Sequence, residues 1–98
     1  MTELDELRAR LDAADDRIHE AIAARCAVIR EIAAYKRIHN LPMSQPSRIQ
    51  YVRQRYRDFA ASISVDVDSL DGVAAGLIDA ACDLEERLMA AGPERTTQ

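Results

Sequence analysis

The sequence has no tryptophan, and only three glycines, three prolines and two cysteines among its 98 residues. Each shortage excludes something. So few glycines and prolines leave room for few turns, which implies a small number of long elements. Cys26 and Cys82 sit inside helical patterns without metal-type spacing, so they read as buried thiols of a reducing cytoplasm and not as a disulfide framework. Excess positive charge is lacking as well. Thirteen Lys and Arg against 17 Asp and Glu give a formal charge of −4, which disfavours a nucleic-acid-binding surface. No apolar run approaches the ~20 residues needed to span a bilayer, and Met1–Arg10 is too charged to read as a secretion signal.

Helical periodicity is what the chain does have, interrupted at identifiable places. Asn40–Pro46 is the clearest break, because Pro42 and Pro46 cannot both sit inside one regular helix. Ser62–Asp66 is the second, with Asp66 placed to cap the next helix. Gly92-Pro93 is a helix stop. The chain therefore reads as a single all-α domain over 1–91, with a flexible polar tail over 92–98. Helices are expected at about 3–39, 46–61 and 67–91, one long and two shorter. Leu4, Leu7, Leu11, Ala14, Ile18, Ile22, Ile29 and Ile32 form the stripe of the first; Ile49, Val52, Tyr56 and Phe59 that of the second. The third carries Leu70, Val73, Leu77, Leu84 and Leu88, and a second weakly polar face of Ala75, Ile78, Cys82 and Met89.

Length then decides something. A helix of about 37 residues is roughly 55 Å long, whereas a compact chain of this size has a diameter near 35 Å, from a radius of gyration of about 13 Å. The apolar stripe of the first helix runs beyond its own globule. A second copy is the simplest cover, which predicts an intertwined homodimer.

Two charges lie where charge is expensive. At 100° per residue, Arg25 and Lys36 fall within about 20° of each other, amid Leu7, Ile18, Ile29 and Ile32. They are about 16 Å apart along the axis, and their long side chains leave a gap that a small dianion could bridge. The alternative is structural: Arg25 pairs with a buried carboxylate such as Glu86, while Lys36 extends to solvent at the helix end. Arg10, Arg17, Arg30 and Arg37 fall away from the stripe and read as solvated surface, as do His19 and His39. Arg8, about 100° from the stripe, would face a neighbouring helix or subunit. Arg48 opens the second helix beside the break. Glu86, four residues after Cys82, shares the second face of the third helix. No Ser-His-Asp or Cys-His arrangement, phosphate loop or metal cluster is evident, so any chemistry would rest on positioning and electrostatics without a cofactor.

The order of these residues resembles the all-helical chorismate mutases, intertwined dimers of three-helix chains. The resemblance covers essentially the whole chain and rests on Leu7-Arg8, Leu11-Asp12, Asp16, Ala24-Arg25, Tyr35-Lys36, the Pro42…Arg48 loop and Cys82…Glu86. It implies that Arg25, Arg48 and the Arg8 of a second subunit hold the two carboxylates of a small dianionic substrate. It further implies that Lys36 and Glu86 contact an ether oxygen. The implied reaction is a Claisen rearrangement, in which a C–O bond breaks as a C–C bond forms and no covalent enzyme intermediate arises. Glu86 could assist only when protonated, since a carboxylate would repel the developing oxyanion; this predicts activity that falls as pH rises.

The departures from the family pattern fall on one part of the site. Where an acid in the loop and a glutamate after the loop arginine are usual, this chain has Gln45 and Ile49, and Cys82 replaces a usual serine. These residues, with Met43, are expected to touch the substrate around its ring substituent. An aliphatic after the loop arginine resembles isochorismate pyruvate-lyases. The stretches Tyr35–His39, Pro42–Ile49 and Cys82–Glu85 look closest to the 4-amino-4-deoxychorismate mutases of antibiotic pathways, the preferred expectation. An ordinary chorismate mutase comes second and the lyase third. A non-catalytic helical dimer or a regulatory partner of a shikimate-pathway enzyme is the reading from another class.

Overall fold

Thr2 starts the first helix. Its hydroxyl accepts from the Asp5 N–H and its own N–H donates to the Asp5 carboxylate, both at 3.1 Å, closing a reciprocal capping box. In the computed structural model, which describes residues 1–43 and 45–90, α1 then runs Glu3–Ile38, α2 Pro46–Ser62 and α3 Val67–Ala90. The expected boundaries are met within a residue wherever the chain is described. The Gly92-Pro93 stop and the 92–98 tail lie outside the described residues.

Both inter-helix turns share one plan, and neither uses glycine. After α1 the Leu41 N–H donates to the Lys36 carbonyl at 2.8 Å and the Asn40 N–H to the Arg37 carbonyl at 3.3 Å, with Asn40 at φ 57°. After α2 the pattern recurs: Val65 to Ala60 at 2.9 Å, Ser64 to Ala61 at 3.3 Å, and Ser64 at φ 60°. These are Schellman stops, with Asn and Ser in the left-handed position that glycine usually fills. Pro46 occupies the first turn of α2, where its missing N–H costs nothing. Asp66 caps α3 as expected, accepting from the Ser69 N–H at 2.9 Å.

α3 packs against both α1 and α2, whereas among the described residues the α1 and α2 backbones make no close approach to each other. The two long contacts are pinned by charge. Arg53 forks onto Asp71 at 3.0 and 2.5 Å, with Arg57 beside it at 3.6 Å, so the Asp71 carboxyl is held below its ordinary value chiefly by the Arg53 hydrogen bonds. On the other side, Lys36 pairs with Glu85 at 2.8 Å, and Arg37 donates to the Leu88 carbonyl at 2.9 Å. Arg37 is thus a half-buried clamp on the end of α3 and not the solvated surface residue its helical angle suggested.

The result is a slab of 55 × 34 × 14 Å with a radius of gyration of 17.5 Å, well above the ~13 Å of a compact chain this long. At one helix thick, it buries no large side chain completely among the described residues, whose buried positions are Ile29, Ala33, Ala60, Ala74 and Glu85. Along α1, Leu7, Leu11 and Ile18 stand 48%, 62% and 55% exposed. Both cysteines are free and half-buried, less enclosed than expected. Among the described residues, no helix is long and apolar enough to cross a membrane.

Candidate active site

Because α1 and α2 diverge across α3, a gap opens between them. It is a cleft of about 350 Å³, at the lower end of the ~300–1,000 Å³ typical of small-molecule sites. One wall is the C-terminal half of α1, where Arg25, Ile29, Ile32 and Lys36 recur at spacings of three and four. The second wall is the loop and first turns of α2, with Met43, Gln45, Arg48, Ile49 and Val52. The floor is the α3 stripe Ile78, Ala81, Cys82 and Glu85.

Seven of the residues singled out from sequence meet here: Arg25, Lys36, Met43, Gln45, Arg48, Ile49 and Cys82. The Lys36 ammonium donates to the Met43 carbonyl at 2.7 Å and to Glu85 Oε1 at 2.8 Å. Those bonds occupy two of its three donors and leave one for a ligand. With its side chain 12% exposed, Lys36 does not extend to solvent. Arg25 is half-buried and makes no ion pair among the described residues, so a partner carboxylate does not explain its place on the stripe. Gln45 is the N-cap of α2, yet its side chain makes no capping bond, which leaves the amide available to the cleft. Arg48 lies over the Tyr51 ring, its guanidinium carbon 4.8 Å from the centroid.

Two expected residues are absent from the cleft. Glu86 is exposed, and its neighbour Glu85 takes the place by Lys36. The reason is which face of α3 the packing turns into the cleft. Measured from Ile78, the floor residues Ile78, Ala81, Cys82 and Glu85 average about −10°, so Glu85 is some 10° off their axis and Glu86 some 90°. The expectation that Glu86 joins Lys36 is therefore corrected by one position. Arg8 is exposed on α1, about 26 Å along the axis from Arg25, and cannot reach the cleft of its own chain. Sequence reading also missed Ala81 altogether, and it placed Val52 on the apolar stripe of the second helix without assigning it to a cleft.

The cleft therefore presents three cations, Arg25, Lys36 and Arg48, and one carboxylate, Glu85, within apolar walls. Its net charge of +2 is opposite and equal to that of a small dianion. Among the described residues no group of three His, Cys, Asp or Glu is placed to hold a metal ion.

Residues 7–86 match the chorismate mutase type II family. A 4-amino-4-deoxychorismate mutase of Streptomyces pristinaespiralis is 39% identical over 89 residues, 91% of this chain and 69% of that protein. A second protein of that name, from Streptomyces venezuelae, is 34% identical over 87 residues, 89% of this chain and 84% of that one. No solved structure gives a match. Three helices without a strand among the described residues, a cation-lined cleft and these likenesses agree: the chain belongs to the chorismate mutase type II family of isomerase enzymes.

Proposed function

We propose that the protein rearranges 4-amino-4-deoxychorismate to 4-amino-4-deoxyprephenate, a step towards 4-aminophenylalanine-type antibiotic precursors. The observation that carries this reading is the composition of the cleft: three cations suited to a dianion, with Gln45 and Ile49, both uncharged, beside Arg48. Both relatives named above act, by name, as 4-amino-4-deoxychorismate mutases, which supports the same substrate.

Arg25 and Arg48 take the two carboxylates and fold the substrate into its compact conformer, so that the carbons to be joined meet. As the C–O bond lengthens, negative charge grows on the ether oxygen. The free N–H of Lys36 meets it. Glu85, in the place that sequence assigned to Glu86, holds the Lys36 ammonium at that point. Met43, Gln45, Ile49 and Cys82 surround the ring. Arg8 of the partner subunit completes the carboxylate grip in a homodimer, whose second copy covers the exposed Leu7, Leu11 and Ile18 of α1. The enzyme works in the cytoplasm, where both free thiols stay reduced.

Offering the purified protein chorismate, isochorismate and 4-amino-4-deoxychorismate separately tests the substrate. The highest kcat/KM is expected for the amino compound. A tenfold or greater preference for chorismate would make the protein an ordinary chorismate mutase. Light scattering on the same sample should give twice the 10.9 kDa chain mass.

A further inference from the structure

Arg48 is asked to do something difficult. It sits in the first turn of α2, where the positive end of the helix dipole disfavours a cation. Its backbone is fixed, the N–H bonding the Gln45 carbonyl at 2.9 Å, but its long side chain is exposed and makes no ion pair among the described residues. A flexible arginine of this kind would have to be immobilised each time an anion arrived.

One contact holds it. Tyr51, one turn along α2, lies under the guanidinium with 4.8 Å from the Arg48 carbon to the ring centroid, and Arg48 lines the cleft in this stacked position. Arg55 reaches the same ring from the next turn at 5.8 Å, so Tyr51 carries two cations and Arg48 is the closer. Stacking suits the purpose chemically. A guanidinium that lies flat on a ring uses its own face for the contact and keeps its in-plane N–H donors free for a bidentate grip on a carboxylate. We propose that Tyr51 is a positioning residue: it holds Arg48 in the orientation that receives a substrate carboxylate, so that less order has to be created on binding. This rests on the reading of Arg48 as an anion contact.

Steady-state kinetics on the best of the three substrates test it, using Tyr51→Leu, Tyr51→Phe and Arg48→Ala singly, and Tyr51→Leu combined with Arg48→Ala. Removing the stack should raise KM about two- to fivefold, the range of an exposed cation–π contact. The value of kcat should move less, because the carboxylate is held alike in ground and transition states. Tyr51→Phe keeps the ring face and should behave as wild type. In the Arg48→Ala background, Tyr51→Leu should do nothing further. An additive double variant, or a Tyr51→Leu KM equal to wild type while Arg48→Ala raises it, overturns the positioning role alone. An Arg48→Ala variant with unchanged KM overturns the anion reading of Arg48 itself, and the role of Tyr51 with it.

Discussion

Glu85 and Lys36 approach to 2.8 Å with side chains only 11% and 12% exposed, so the cleft holds a compact ion pair at the point where, in the proposed reaction, the ether oxygen develops charge. An ionised Glu85 beside that oxygen opposes the reaction. Two unit charges about 4 Å apart interact by about 4 kcal/mol at an effective dielectric near 20. With roughly half a charge on the oxygen in the transition state, the penalty is about 2 kcal/mol, or about 30-fold in rate. Glu85→Gln removes that charge and keeps an N–H donor, so at one neutral pH its kcat should exceed that of wild type by up to ~30-fold. The assay is substrate consumption monitored by absorbance at constant ionic strength, with Glu86→Gln as control. A Glu85→Gln kcat no higher than that of wild type would refute the reasoning; a gain produced by Glu86→Gln instead would refute the placement of the two glutamates.

Other contacts carry their own expected outcomes. Arg25 has no ion pair among the described residues, so Arg25→Ala should lower kcat/KM at least about 100-fold, as loss of a charged contact in the transition state does, while thermal unfolding changes little. Replacing Gln45 by Asp together with Ile49 by Glu should move the kcat/KM preference towards chorismate, if those positions meet the ring substituent; an unchanged ratio of the two substrates counts against it. Because Arg53 holds the Asp71 carboxyl below its ordinary value, its contribution to stability is present above the unfolded value near pH 4 and disappears as pH falls through the folded one. Asp71→Asn should thus lower the Tm at pH 7, with the difference from wild type vanishing under strong acid. Ser64 sits at φ 60°, so Ser64→Gly should stabilise by roughly 0.5–1 kcal/mol in denaturant unfolding, despite adding backbone freedom to the unfolded chain.

Much of the architecture was determined by the sequence alone. Periodicity of three and four, prolines at 42 and 46 and an aspartate at 66 define three helices to within a residue, because those signals act locally on the backbone. Arg25 and Lys36 were legible as site residues for a related reason: a charge on an apolar stripe is costly wherever the stripe packs. The turn at Ser64 was not legible as a Schellman stop, since serine is a weak signal for a left-handed residue and the hydrogen bonds of the whole turn hold it there.

The choice between Glu85 and Glu86 shows where local reasoning ends. Relative to the weakly polar face of Ala75, Ile78, Cys82 and Met89, the two glutamates lie about 50° away on opposite sides, so helical phase on α3 alone favours neither. Only the packing of α3 under both α1 and α2, which turns Ile78, Ala81 and Cys82 into the gap between them, brings Glu85 to Lys36 and leaves Glu86 in solvent. Periodicity fixes which residues share a helix face. Which face closes a site depends on how the other helices are seated, and that is a property of the tertiary structure.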